Sequence, residues 1–572
     1  MLLLASLGGL AARLTQLQVV EGSRLQAMAR RQQLATIEID PHRGRVLDRR
    51  GRSLAINLDA TSIYAVPSAI VDRQAFAAAV GPAIGLRAED VERRLNAGRH
   101  FAWLARKVDP IMVVRVKALR LGDQIGFLTE DRRAYPNGVL AAHVLGFVGV
   151  DNQGLAGVES TYDAVLRGQP GKAVAARDGI GRVLVETQRL LRPPDDGADV
   201  LLTVDQVIQH IAERELEKAI TQTGARQGWV IVLDPKSGEI LALAVRPVFD
   251  PNTATTARPE QWLNRALSEV YEPGSTFKIF LSAAALDSGA VLPTARFFCS
   301  GSLPAPGGHT IRDAHGRGHG WQTMGDVVKN SCNVGAAQIA SRLGTVDFYR
   351  YIRGFGFGDP VGVDLPGEAA GIVRAPSAWL GPTLQTISFG QGVAVTALQV
   401  LAAATTFAND GVMIRPHLVR AIRDSQGRIV NVVGREPIRQ VIRSVTAQAV
   451  LRMMVGTVED GTGKQARIEG YTVAGKTGTA QKPAPSGGYD ASRFMASFLG
   501  IVPADDPQLA VLVVLDEPQG AYYGGEVAAP VFREIAAQAL WYLRIPPQRG
   551  LADLTGAAPA GSVPGRDPGR KR

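Results

Sequence analysis

Hydrophobic and polar positions divide the chain into stretches of different period. Met1 to Leu10 is almost wholly apolar, and Arg13 is the first charge. So short a run falls below the roughly 20 residues a bilayer-spanning helix needs. Three readings fit it: a membrane anchor whose upstream residues are missing, a cleaved signal lacking a positive leader, or a soluble amphipathic helix. The anchor, residues 1–20, is preferred. Residues 35–200 mix strand-like pieces (Ile37 to Ile39, Ser62 to Val66), Pro/Gly punctuation and helical stretches such as Asp90 to Asn96. Arg192-Pro193-Pro194-Asp195-Asp196-Gly197 reads as a turn or linker and marks the main boundary.

Beyond it, Ala198 to Val204 reads as a strand and Asp205 to Thr221 as an amphipathic helix. Gln227 to Leu233 and Glu239 to Val245 form a hairpin across Pro235-Lys236-Ser237-Gly238. Helical patterning fills Phe277 to Ser288, Met324 to Arg342, Thr396 to Asn409 and Thr446 to Val458. Apolar strands (Ser497 to Val502, Leu509 to Leu515) and a helix, Ala529 to Leu543, finish the region. Strands, then helices, then strands predict an α+β fold, an antiparallel sheet closed by both ends of the domain with helices packed on it.

Composition changes this picture little. The 572 residues are 46% hydrophobic and 20% charged, which excludes wholesale disorder, and the length allows two to four domains. No apolar run reaches 18 residues, which excludes a polytopic membrane protein. Two cysteines exclude a disulfide framework and any Cys-based zinc or iron–sulfur cluster. The net charge of +10 does not point to nucleic acid, because the arginines are scattered and no recognised binding spacing occurs. The basic cluster Arg566 to Arg572 closes a Gly/Pro/Ala-rich tail, residues 546–572, expected to be disordered. Only 11 of the 63 basic residues are lysine. Lysine, unlike arginine, can lose its proton inside a protein, so lysines within motifs matter.

Three motifs carry candidate chemistry. In Glu272-Pro273-Gly274-Ser275-Thr276-Phe277-Lys278, Ser275 opens an apolar helix that predicts burial, and Lys278 falls on the same face one turn later. Burial lowers an amine's pKa towards the range where it can deprotonate a serine. An N-cap serine is the plainer alternative. Lys329-Asn330-Ser331-Cys332-Asn333 places a hydroxyl and an amide where they can share a cleft. Gly475-Lys476-Thr477-Gly478-Thr479 completes a literal phosphate-loop pattern from Gly470, but no helix follows it, and the nucleotide reading loses.

Ser-x-x-Lys, Ser-x-Asn and Lys-Thr-Gly in this order resemble the set found in penicillin-binding proteins and serine β-lactamases. The resemblance is to class B penicillin-binding proteins. It extends to Arg43-Gly44-Arg45-Val46-Leu47-Asp48-Arg49-Arg50-Gly51, Arg133-Ala134-Tyr135-Pro136, His143-Val144-Leu145-Gly146 and Gly154-Leu155-Ala156-Gly157-Val158-Glu159. Ser388-Phe389-Gly390-Gln391-Gly392 and Tyr522-Tyr523-Gly524-Gly525 are more similar to the septal, FtsI-type subgroup than to the elongation subgroup. The resemblance implies a serine transpeptidase fold at 198–545 behind an elongated mixed α/β pedestal at 21–197.

It also implies a peptidoglycan D,D-transpeptidase that β-lactams inhibit covalently. Ser275 would be the nucleophile, Lys278 its base, Ser331 the proton relay and Asn333 the holder of the substrate amide. Lys476 would keep the local field positive. Thr477, Gly478 and Thr479 would bind the substrate, and the N–H groups of Ser275 and Thr479 would form the oxyanion hole. Implied partners are D-Ala-D-Ala stem peptides, the cell membrane, a membrane glycosyltransferase and division proteins reached through the pedestal. The implied location is the cytoplasmic membrane, single-pass, with the catalytic domain outside it; no cofactor is implied.

Two rivals remain. A β-lactamase would need a deacylating base, and no Glu-x-x-Leu-Asn stretch lies between Asn333 and Lys476. A silent division scaffold would not need the intact triple. His309, His315 and His319 are spaced too widely for typical zinc ligands and read as a surface loop. Cys332 reads as a buried free thiol or, in an oxidising compartment, as a partner for Cys299.

Overall fold

A computed structural model describes residues 1–177, 183–314, 316–484 and 487–547. His315 and nearly all of the basic tail lie outside them. Five antiparallel strands form the central sheet in the order Ile240–Arg246, Gln227–Leu233, Leu509–Asp516, Tyr489–Val502, Ala474–Pro483. The first three of these are buried at every position. Their side chains alternate between two helical layers. Val230 and Val232 pack with the helices Gln206–Thr223 and Ala529–Tyr542. Trp229, Ile231 and Leu233 pack with Lys278–Asp287 and Ala397–Ala408. Helices on both faces explain why these strands read as continuous apolar runs.

Local chemistry fixes the helix ends. Asp205 accepts the N–H of Val207 at 2.9 Å, and Thr396 exchanges hydrogen bonds with Gln399 in a capping box. One expectation fails. Met324 to Arg342 is two helices, Met324–Lys329 and Asn333–Leu343. The chain breaks at Ser331, whose φ is +60°, and Cys332 restarts it as an N-cap, its Sγ accepting the N–H of Gly335 at 3.2 Å.

Before residue 200, residues from three of the sequence motifs meet in one place. Arg43 and Arg133 both pair with Glu159, at 2.8 and 2.7 Å, with all three side chains almost wholly buried. Tyr135 adds its hydroxyl at 3.4 Å. A Cβ on Gly44 would lie 2.0 Å from the carbonyl oxygen of Ala198, so only glycine allows the two segments to touch. A seven-stranded sheet runs Ile429–Val432, Val419–Arg423, Asp199–Leu202, Val46–Leu47, Ser53–Ala65, Ala102–Val108, with Ile125–Ala134 also on Ser53–Ala65. Strands from either side of the Pro-Pro-Asp-Asp turn thus share one sheet. The turn is itself tied down, with Gln169 and Asp195 exchanging backbone hydrogen bonds.

The chain begins with the helix Leu2–Thr15, on which Leu4, Leu7 and Leu10 are exposed. No helix among the described residues is long and apolar enough to cross a membrane.

Candidate active site

The motif residues converge on one cleft. Gly274–Phe277 forms a tight 3-10 turn that leads into the helix Lys278–Asp287. The turn is pressed against the outermost sheet strand, Ala474–Pro483, which carries Lys476, Thr477, Gly478 and Thr479. Gly478 is required by that approach: a Cβ there would lie 2.3 Å from Ser497 Oγ and 2.9 Å from the Pro273 carbonyl oxygen. Gly274, at φ +56°, packs under a backbone contact from Gly390. A phosphate loop at Lys476 is excluded, because the lysine lies within a strand rather than before a helix.

Lys278 is wholly buried. Its Nζ lies 2.8 Å from Ser275 Oγ, 2.6 Å from the Ser331 carbonyl oxygen, 3.3 Å from Ser331 Oγ and 2.7 Å from Asn333 Oδ1. None of these oxygens is charged. Burial pushes the Lys278 amine down to about 8, with the Asp313 carboxylate pulling the other way. Lys476, also wholly buried, sits 3.0 Å from Ser331 Oγ. Burial first, and the nearby Lys278 second, hold its amine well below the ordinary lysine range. Ser331 reaches this position through the left-handed backbone that breaks the predicted helix.

The remaining motif residues line or brace the cleft, which encloses about 370 Å³. Thr477 Oγ1 lies 2.8 Å from Thr462 Oγ1, and Thr479 Oγ1 accepts the N–H of Gly524 at 3.0 Å. The Asn333 amide nitrogen donates to the Arg312 carbonyl at 3.2 Å. Phe389, Gln391, Tyr523 and Gly525, from the two subgroup motifs, face the same cavity. Lys329 does not; it pairs with Asp326 at 3.4 Å and Asp460 at 3.9 Å.

Sequence reasoning misses four contributors. Thr462 and Lys464 follow a helix and carry no motif. Glu272 is visible beside Ser275, but its task is not: Oε1 accepts the Gly392 N–H at 2.8 Å and the Tyr489 hydroxyl at 3.2 Å, binding the segment before the serine turn to the loop after Gln391 and to the strand Tyr489–Val502. Asp313 accepts the Asn333 N–H at 3.1 Å, and only the folded hairpins bring it there.

Comparison with known proteins gives matches over both regions. Residues 228–537 match the penicillin-binding protein transpeptidase domain, and residues 38–202 match the penicillin-binding protein dimerisation domain. The chain is 37% identical to stage V sporulation protein D of Bacillus subtilis, over 94% of this chain and 84% of that protein. It is 32% identical to the peptidoglycan D,D-transpeptidase FtsI of Escherichia coli, over 95% of this chain and 91% of that one. Among solved structures, penicillin-binding protein 3 of Mycobacterium tuberculosis aligns with a TM-score of 0.70 and 29% identity, over 89% of this chain and 98% of the other. The same protein is also known complexed with aztreonam.

Proposed function

From the fact that this chain belongs to the class B penicillin-binding protein D,D-transpeptidases, we propose that it cross-links stem peptides in septal wall synthesis, with Ser275 as nucleophile and Lys278 as its base. One observation carries the assignment. The Lys278 amine is buried among uncharged oxygens and lies 2.8 Å from Ser275 Oγ.

Ser275 Oγ adds to the carbonyl carbon of the penultimate D-alanine while its proton passes to Lys278. The N–H groups of Ser275 and Thr479 take up the negative charge that develops on the carbonyl oxygen. The C–N bond to the terminal D-alanine then breaks, and Ser331 relays the proton to the departing amine. An amine of a second stem peptide displaces Ser275 from the acyl-enzyme and restores its hydroxyl. The exposed amide nitrogen of Asn333 holds the substrate amide. Thr477 and Thr479, on either side of Gly478, bind the terminal carboxylate, and the one proton held by the Lys278–Lys476 pair keeps the field beneath them positive. A β-lactam carbonyl enters the same first step and remains attached.

Intact-mass measurement after incubation with a fluorescent penicillin tests this reading. One stable adduct on the wild type and none on Ser275→Ala is expected; rapid loss of the adduct by hydrolysis would reject a transpeptidase in favour of a lactamase.

The septal role draws support from the two subgroup motifs, both of which face the catalytic cavity. Imaging of a tagged chain should show midcell enrichment, and an even side-wall signal rejects it. We also place the chain at the cytoplasmic membrane through its N-terminal helix, whose exposed leucines support that placement, with the catalytic domain outside. The pedestal, with Val71, Ile111 and Val114 exposed, would meet a glycosyltransferase and division proteins. Membrane fractionation with and without residues 1–20 separates membrane-bound from free chain.

A further inference from the structure

Behind the Ser331-Cys332-Asn333 turn, two sulfurs and a carboxylate face one another away from solvent. Cys299, Asp313 and Cys332 are 1%, 6% and 0% exposed, and one ligand atom from each lies within 4.8 Å of the others. Asp313 uses Oδ1 to accept the N–H groups of Asn333 and Ala314. Its Oδ2 points the other way, 3.5 Å from Cys299 Sγ and 3.0 Å from His319 Nε2. Cys299 ends a strand in which it pairs with Gly320, and this sets His319 beside it. Cys332 Sγ sits at the N-terminus of the 11-residue helix Asn333–Leu343 and accepts the Gly335 N–H. Burial beside the Asp313 carboxylate keeps Cys332 a thiol until a cation binds, and a cation between the sulfurs and the carboxylate is what would offset that cost.

We propose that Cys299, Asp313 and Cys332 bind one divalent cation of the zinc type, and that His319, which now touches only Asp313 of the three, turns in as the fourth ligand. Two sulfurs, an imidazole nitrogen and a single carboxylate oxygen are the donors that select a borderline-soft cation over magnesium or calcium, and four ligands suit a tetrahedral site. Both thiols release their protons to solvent on binding, while His319 coordinates as neutral imidazole through Nε2. The site goes against the sequence-based expectation of no metal, which counted cysteines and histidines along the chain. The three hairpin segments that carry Cys299, Asp313 and His319 close onto the helix cap only in the fold.

The cation would act on the catalytic turn without touching substrate. Cys332 lies between Ser331 and Asn333, and both neighbours contact the Lys278 amine. Holding Cys332 by its sulfur, and the Asn333 N–H through Asp313, fixes the turn that presents those oxygens. The four ligands are thus positioning residues.

The test uses the full chain purified under reducing conditions without chelators. Elemental analysis should find about one zinc per chain. Cobalt(II) exchanged into the site should give thiolate-to-cobalt charge transfer and tetrahedral d–d bands. Cys299→Ser should abolish the charge-transfer band from one sulfur and lower zinc content. His319→Ala should weaken zinc binding by roughly tenfold or more while leaving the circular dichroism unchanged. Both metal readouts persist in Ser275→Ala, so they stand apart from the transpeptidase assignment. A reduced chain that carries no metal and gives no sulfur–cobalt band overturns the proposal. So does a Cys299–Cys332 disulfide in protein isolated from the cell envelope.

Discussion

Lys278 and Lys476 share one hydroxyl: Ser331 Oγ lies 3.3 Å from the first amine and 3.0 Å from the second. Two buried amines this close to one oxygen cannot both stay charged, so the pair holds one proton where two exposed lysines would hold two. This makes a base available near neutral pH without any carboxylate next to Ser275.

The pair has a pH signature. Acylation by a β-lactam should rise with pH through about 8, as Lys278 loses its proton. Burial, and not a charge on Lys476, lowers the Lys278 amine, so Lys476→Gln should leave its titration in place. The rising limb should therefore stay near 8, while loss of the Lys476 hydrogen bond to Ser331 Oγ lowers the acylation rate about tenfold or more at every pH. Stopped-flow acylation across pH 6 to 10 reads both; a limb displaced by a unit or more contradicts the one-proton picture.

Gly478→Ala tests the spacing between the serine turn and the sheet edge. The added methyl would meet Ser497 Oγ at 2.3 Å and the Pro273 carbonyl at 2.9 Å, so the strand bearing Thr477 and Thr479 must move off Ser275. Overpacking costs about 1–3 kcal/mol of stability. A shift approaching 1 Å costs catalysis on the order of a hundredfold. The expected result is a small drop in Tm with a large loss of acylation; the reverse balance would count against the geometry.

The pedestal cluster predicts the opposite. Glu159→Leu leaves Arg43 and Arg133 buried without their carboxylate. Breaking a buried pair from one side costs about 3–5 kcal/mol. Urea unfolding should show that loss, while penicillin labelling of the surviving folded fraction proceeds at the wild-type rate. The cluster lies far along the chain from the catalytic motifs and shares none of their hydrogen bonds.

His143 links acidity to stability. It is packed edge-on against Phe249, donates from Nε2 to the Gln261 carbonyl at 2.9 Å, and burial pushes its imidazole down to about 4. Between the unfolded value near 6.5 and that folded value, the unfolded chain binds a proton that the folded chain refuses. Stability should be intact above about pH 6.5 and fall by about 3 kcal/mol as pH drops towards 4. His143→Gln, which keeps a side-chain donor, should flatten this part of the pH profile of the urea midpoint.

The elements readable from sequence are those whose burial is complete and whose ends carry turn chemistry. Gln227–Leu233 is read to the residue, because its apolar run stops at Asp234-Pro235. Ser275 and Lys278 are read as neighbours because one helical turn joins them. The break at Ser331 escapes because periodicity continues across it; a serine at φ +60° leaves no mark of the kind glycine or proline would. Likewise Asp313 and His319 sit in short hairpins whose side chains gain meaning only from what folds against them. Arg43, Arg133 and Glu159 are visible as motif members, but their convergence on one buried carboxylate is not.

The seven-stranded sheet bears on where this chain can be cut. The Pro-Pro-Asp-Asp turn looks like a natural place to divide it, yet Asp199–Leu202 runs parallel to Val46–Leu47 and its Asp205 neighbour grips Arg52 at 2.9 Å. A fragment starting at residue 198 would inherit a raw strand edge, a buried Asp205 carboxylate stripped of Arg52, and apolar faces shaped for Val46 and Leu54. Such a fragment is primed to aggregate. Anyone wanting the catalytic half alone would have to redesign that seam, because the fold treats the pedestal as part of its foundation.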